Sequence, residues 1–498
     1  MRLKWAALAL AVGVLVACGT AVVNPVTGET ELSAMSEEQE IAEGAKAHQQ
    51  VLKEYTVYAN PAVQNYVNAL GQRLAAQSHR ANLQWHFTVL DSPEINAFAL
   101  PGGYVYVTRG IMAYMESEAD LAGVMGHEIG HVTARHGAQR ATSQQHAGLG
   151  VFAANILGLV LESQGVSGAG QMAGEVSQTV AAGYIASYGR EQELQADGLG
   201  AEYLARNHYD PHNMVDVITV LKNQERYAAD VAKAQGLPPP SSGGWLASHP
   251  SNDQRLQQIR QTADRYGSSG NYGDDGRARY LQVIEGLSFG DSADQGLVRA
   301  RNFYHAGLNI ALTAPPAWRI QNDAQQVALV NAAGDAALLL KPVPPALGKT
   351  HAEVIRNGFK PTQGKTEVTA LNGLQATHFT GARQDAQGQS LGLEFTVVSG
   401  PENRLYVLQY AAKDAATLQA NRTALREAES SFRALTPQDR QAAKPWSIRV
   451  VPYPKGGFAE LAKRSPLPNA EQQLRLVNGF YGGGEPKAGQ PVKLVEPS

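Results

Sequence analysis

Two histidines four residues apart, with a glutamate directly after the first, constrain this chain more than any other feature: His127-Glu128-Ile129-Gly130-His131. Ser117 is a natural N-cap with Asp120 three residues on, Leu121, Val124 and Met125 form an apolar stripe, and Gly137 suits a stop, so the spacing predicts a helix over 117–137. Four residues of α-helix return to nearly the same face, and both imidazoles can then share one metal ion. Glu128 lies about 100° round the helix, beside such a metal, where it can polarise a water molecule. The bland alternative is a solvated face that happens to carry these residues. Gly126 and Gly130 argue against it, because each costs about 1 kcal/mol in a helix interior unless another backbone must approach closely. The stretch before the motif is apolar as well, which predicts a buried helix.

Such a site needs a third protein ligand and an open position. A third histidine six residues on is absent, because position 137 is glycine. On a continuous helix His136 falls about 140° off the ligand face and is expected to cap the helix end or bond to backbone. The stretch Glu191-Gln192-Glu193-Leu194-Gln195-Ala196-Asp197 offers acidic groups. Glu193 and Asp197 are one helical turn apart on one face, whereas Glu191 and Asp197 are not. Glu193 can reach the metal while Asp197 accepts a ring N–H from a ligand histidine. The spacing alone fits an exposed acidic helix face equally well.

The N-terminus reads as a processing segment. Arg2 and Lys4 precede an unbroken run of apolar residues and glycine over 5–16, too short to span a membrane comfortably. It closes on Leu15-Val16-Ala17-Cys18, which resembles a bacterial lipobox, so 1–18 is expected to be a lipoprotein signal peptide ending at a lipidated Cys18. An ordinary signal peptide with an incidental cysteine is the alternative. Cys18 is the only cysteine, which excludes an intramolecular disulfide. Gly19, rather than Asp, favours the outer membrane. The apolar stretch 147–161 is too short for a spanning helix and is expected to be a buried or lid helix. A net charge of −3 leaves no electrostatic footprint for nucleic acid.

Composition along the chain suggests several pieces. After a tether over 19–35, Ser36 and Gln39 make a capping box for a helix to about residue 54, and Asn60-Pro61 opens another to about 76. Strands are expected over 83–90 and 104–108, with Asn96-Ala97-Phe98-Ala99-Leu100-Pro101-Gly102-Gly103 between them. The first domain spans 36–265, and the glycine-rich stretch 266–279 reads as a linker. Beyond it, 280–440 alternates short β-type runs (310–314, 318–320, 327–331, 336–341, 391–398, 404–410) with helical segments near 351–358 and 414–435. That is an α+β domain of unassigned role. A third piece over 445–482 weakly resembles a degenerate LysM module, a peptidoglycan-binding fold; an extension packed on its neighbour explains it as well.

The motifs taken together, in their order, resemble the HtpX/BepA-type zinc metallopeptidases, metallopeptidase family 48. The residues that carry the resemblance are His127-Glu128-Ile129-Gly130-His131, Glu193 with Asp197, Asn96 to Gly103, and His249-Pro250 with Arg255. Asn24-Pro25-Val26-Thr27-Gly28 and Ser36-Glu37-Glu38-Gln39-Glu40 are similar to the mature start of the family's periplasmic lipoprotein branch. The resemblance implies an α+β chain: a mainly helical zincin-type metalloprotease domain with a small sheet, then the α+β domain and the LysM-like end piece. It implies one zinc ion on His127, His131 and Glu193, Glu128 as general base, and Asp197 and Arg255 in support. His249, following a Pro/Gly-rich loop, is expected to donate to the oxyanion, to occupy the open metal position and hold the enzyme latent, or to be merely structural. Asn96, Ala97, Phe98 and Ala99 are expected to form an edge on which extended substrate pairs, or simply a sheet edge ending in a turn. The implied function is hydrolysis of unfolded or mis-assembled envelope proteins in the periplasm. A non-catalytic zinc-containing scaffold or peptidoglycan-binding protein is the competing class. Membrane helices and helical repeats found in some family members are absent from this sequence.

Overall fold

The computed structural model describes residues 20–147, 188–234, 249, 253–267, 272–322, 326–384 and 388–498. Cys18 and the signal segment, nearly all of 147–161, the Pro/Gly loop before His249, and Pro250 lie outside the described residues. The chain is mixed α+β and divides into two compact units. One contains the described residues up to Phe289 together with Trp446–Pro497, and the other is Gly290–Pro445.

In the first unit, helix α1 (Glu37–Glu54) begins with the expected Ser36/Gln39 capping box, and α2 (Pro61–Ala76) begins with Asn60 accepting from Ala62 and Val63 ahead of an N1 proline. Three short strands follow: β1 (His86–Leu90), β2 (Ala97–Leu100) and β3 (Tyr104–Thr108). β3 is central, parallel to β1 and antiparallel to β2, which leaves β2 at an edge. The Pro101-Gly102-Gly103 turn joins β2 to β3 through two residues with φ of +78° and +95°, a region glycine enters without strain.

Helix α3 (Glu118–Thr133) carries the two histidines and is capped by the Ser117 side chain, which accepts from Asp120 N. All 16 of its residues are buried. A Cβ on Gly126 would stand 3.3 Å from Gly200 Cα, and one on Gly130 would stand 3.1 Å from Ala196 O, so the expected close neighbour is helix α5 (Arg190–Arg206). The expected stop at Gly137 is corrected. The helix ends at Thr133 with Ala134 as cap, and Arg135 adopts φ +59° before α4 (His136–Ala147) begins. The cause is a contact distant in sequence: Glu40 of α1 accepts from Arg135 Nε at 2.8 Å, and Met35 O from its Nη2 at 3.1 Å.

Two boundaries differ from the sequence reading. The glycine-rich stretch 266–279 does not separate domains. Gly273 N donates to His208 O, Asp275 O accepts from Ala119 N at the start of α3, and the boundary falls after Phe289. Glycine-rich composition marks irregular backbone, and its described part around Gly273 and Asp275 is docked. The end piece runs to Pro497, past the expected 482, as strand, helix, helix, strand. Its first strand (Trp446–Pro452) pairs with both Pro491–Pro497 and Ser288–Phe289, and Phe458, Leu474 and Leu494 share one core with Leu121 and Met125 of α3. Lys493, fully buried, donates to Ala113 O at 3.0 Å and Met115 O at 2.7 Å and pairs with Glu116 at 2.7 Å, just ahead of the α3 cap.

The second unit holds a seven-stranded antiparallel sheet, in the order Arg319–Asn322, Val327–Val330, Ala336–Pro342, Leu405–Ala412, Ser390–Ser399, Leu374–Gln384, Gln363–Leu371. Helix Ala415–Ser430, capped by Asp414, packs on it. A second, four-stranded sheet includes Asn302–His305 and Ile310–Thr313. The expected α+β character holds, with two long strands over 363–384 added.

Candidate metal centre

α3 presents His127 and His131 to α5, which presents Glu193 and Asp197 from one face, and His249 closes the group from the segment before α6 (Asp253–Gly267). The four potential ligand atoms of His127, His131, Glu193 and His249 lie within 4.8 Å of one another, and all four residues are buried. Glu193 oxygens stand 3.7 Å from His127 Nε2 and 3.5 Å from His131 Nε2. His249 Nδ1 is 2.9 Å from Glu193 Oε1 and 3.2 Å from His127 Nε2.

Proton positions follow from the outer partners. Asp197 Oδ1 stands 2.9 Å from His127 Nδ1 and can only accept, so that nitrogen carries the proton and Nε2 keeps a lone pair. Arg255 in turn grips Asp197, Nε to Oδ2 at 2.6 Å and Nη2 to Oδ1 at 2.8 Å, and donates to His249 O at 2.9 Å. Burial pushes the Asp197 carboxyl up, but Arg255 outweighs it and holds it at about 2. His131 Nδ1 is 2.8 Å from His136 Nδ1, and His136 Nε2 is 2.8 Å from Gln195 Oε1. Reading from the acceptor Gln195, His136 donates through Nε2 and accepts through Nδ1, so His131 also keeps its lone pair on Nε2.

The two ligand nitrogens, His127 Nε2 and His131 Nε2, therefore face each other at 3.0 Å. Facing lone pairs repel, and a carboxylate and a third ring nitrogen converge on the same point. Nitrogen and oxygen donors in this number suit zinc, the metal this kind of site implies. Glu128, fully buried, stands beside the group with Oε1 3.5 Å from His249 Nε2.

Residues 61–263 match the family described as Peptidase family M48. This stretch is an M48 peptidase domain. Over 246 residues the chain is 30% identical to the beta-barrel assembly-enhancing protease of Yersinia pestis, a match covering 48% of this chain and 47% of the relative. The Escherichia coli K12 protein of the same name gives the same identity and coverage. The mitochondrial metalloendopeptidase OMA1 of Arabidopsis thaliana is 32% identical over 189 residues, 38% of this chain and 33% of the relative. The chain thus spans about half the length of the first two relatives.

Within the M48 domain, the structure brings His127, Glu128, His131, Glu193, Asp197, His249 and Arg255 together. The stretch expected as an edge is one: Ala97–Leu100 forms strand β2, and Asn96 pairs its main chain with Thr108. Alternation from that pair turns the N–H and C=O of Ala97 and Ala99 toward the side on which no strand pairs among the described residues. Ala99 and Leu100 line a small cleft with His131 and Tyr188, whereas the Phe98 ring packs away against Tyr106. Sequence reasoning missed two residues: Gln195, which meets His136 at 2.8 Å, and Tyr188, whose ring stacks on His131 at 3.9 Å between centroids. His136 was misplaced because its projection assumed a continuous helix.

Proposed function

We propose that this chain is a zinc-dependent endopeptidase of the bacterial cell envelope. The observation that carries the reading is the convergence of His127, His131 and Glu193 on one buried point with Glu128 directly beside it. A structural zinc site has no use for such a base. His127, His131 and Glu193 would hold the zinc ion, which when bound would supply Lewis acidity and a lowered pKa for water. Glu128 accepts the proton of the attacking water and returns it to the leaving amine. Asp197 and Arg255 fix the tautomer of His127. An extended substrate pairs along the β2 edge at Ala97 and Ala99, next to the cleft beside His131. Backbone pairing reads little side-chain identity, which suits unfolded or mis-assembled envelope proteins, and two relatives are named for assembly of β-barrels. The lipobox-like Cys18 supports a lipid anchor, with Gly19 favouring the outer membrane. The strand-helix-helix-strand order of 446–497 supports a LysM-like peptidoglycan contact.

His249 has two roles open to it in this reading. Its Nδ1 lies close enough to the ligand set to fill the fourth metal position and keep the enzyme latent, and its Nε2 faces Glu128, where it can serve the oxyanion. His249→Ala separates them: faster proteolysis supports the latch, slower supports catalysis, and an unchanged rate removes both. For the main reading, casein cleavage by the wild-type protein should fall by about 10²–10⁴ in Glu128→Gln with zinc content unchanged. Equal cleavage by wild type and Glu128→Gln, or none by either wild type or His249→Ala, overturns it.

A further inference from the structure

We propose that His136 is a positioning residue for the ligand His131, held in place by Glu40; the inference rests on the zinc reading above. The evidence begins at the end of α3. A non-glycine residue in the left-handed region costs roughly 1–2 kcal/mol, and Arg135 adopts it with φ +59° while 5% exposed. Glu40, itself 1% exposed, secures it. One carboxylate oxygen of Glu40 accepts from Arg135 Nε, and the other accepts from Arg80 Nη1 at 2.8 Å. Arg80 Nη1 also meets Val132 O at 3.1 Å, so the same ion cluster ties off the last turn of α3.

That single left-handed residue changes what His136 can reach. On a continuing helix its ring would face away from the ligands. After the break it returns beneath His131, ring centroids 5.0 Å apart and planes at 71°, with the Nδ1 atoms 2.8 Å apart. Gln195 lies between Glu193 and Asp197 in sequence, and its Oε1 fixes the His136 proton on Nε2. The two ligand histidines are thus held in one tautomer by unlike partners: a carboxylate for His127, a neutral imidazole for His131. A carboxylate partner pushes more electron density through the ring onto the metal than a neutral acceptor does. The pairing at His131 therefore orients the ligand while leaving zinc a stronger Lewis acid than two carboxylate partners would.

The test compares full-length wild type with His136→Leu, His136→Gln and Gln195→Met. Zinc affinity, measured by competition with a chelator, should fall about 10–100-fold in His136→Leu. His136→Gln, which keeps an acceptor, should recover most of that loss, and Gln195→Met should fall in the same direction by less. In Co²⁺-substituted protein, wild type should show two slowly exchanging, hyperfine-shifted ring N–H resonances in the proton NMR spectrum. His136→Leu should lose one of them and keep the other. Unchanged affinity with both resonances retained, or a Gln variant no better than Leu, overturns the inference. If His136→Leu fails to fold, Gln195→Met decides: both resonances at wild-type exchange rates count against the proposal. A wild type that binds neither metal overturns the zinc reading itself, a result distinct from zinc binding that ignores these substitutions.

Discussion

Each unit buries a cluster of charged and polar side chains, and the two clusters differ in how their donors and acceptors are arranged. In the second unit Arg422 meets both oxygens of Glu394 at 2.8 Å, Tyr410 donates to Glu429 at 2.7 Å, Thr396 donates to the other Glu429 oxygen, and His378 Nδ1 lies 2.8 Å from Thr396 Oγ1. Donors meet acceptors throughout, and the cluster does one job, joining helix Ala415–Ser430 to the sheet. The first unit's cluster aims ring nitrogens at one another across 3.0 Å. A buried polar set that satisfies itself is structural. One that gathers two ring lone pairs and a carboxylate on one point suits a cation.

The largest effect expected from this contrast is on metal content. Glu193→Ala should leave dialysed protein without stoichiometric zinc, whereas Glu394→Gln should leave zinc untouched; elemental analysis of both reads the result, and equal zinc in the two breaks the comparison. Next, Asp197→Ala should weaken zinc binding about 10–100-fold by removing the acceptor that fixes His127, measured by chelator competition. Smaller again, Glu429→Ala should destabilise the second unit by about 1–3 kcal/mol, because buried Tyr410 and Thr396 lose their acceptor. Denaturant titration followed by hydrogen exchange in that unit checks it, with zinc affinity unchanged.

The smallest effect is pH dependence, with opposite signs. The Glu429 carboxylate, 3.7 Å from His378 Nδ1, raises the His378 pKa against the effect of burial. Its contribution to stability is complete below the unfolded value near 6.5 and is lost as pH rises through the folded value. Burial, then His86, lowers the His48 pKa in the first unit. Its contribution is present above about pH 6.5 and is lost as pH falls towards the folded value. Hydrogen exchange from pH 5.5 to 8 (roughly the range over which histidines titrate) should show the two trends, each flattened by the corresponding His→Gln variant. Parallel trends that neither variant alters would show that these histidines do not set them.

The site was legible where local geometry suffices. Helical repeat places His127 beside His131, and Gly126 and Gly130 foretold the close approach of another helix. Spacing alone left Glu193 ambiguous, because an acidic helix face looks the same whether it meets metal or water; the family resemblance decided it. His136 was beyond reach, since its position depends on Glu40, a residue nearly a hundred positions earlier. In the fold, strands Gln363–Leu371 and Leu374–Gln384 were missed because the first exposes nearly all its residues and shows no alternation of burial. The C-terminal piece was left open between a separate module and an extension packed on its neighbour, because nothing local announces that Trp446 pairs with Phe289.

Lys493 has a consequence for biosynthesis. The strand that carries it completes the unit holding the metal residues, and its ammonium group ties off the backbone leading into α3. All of Gly290–Pro445 is translated between the two parts of that unit. In a nascent chain the strand that carries Lys493 therefore joins this unit only after synthesis has passed the second unit. A ribosome stalled within Gly290–Pro445 leaves a chain with every metal ligand present and the unit around them without its last part.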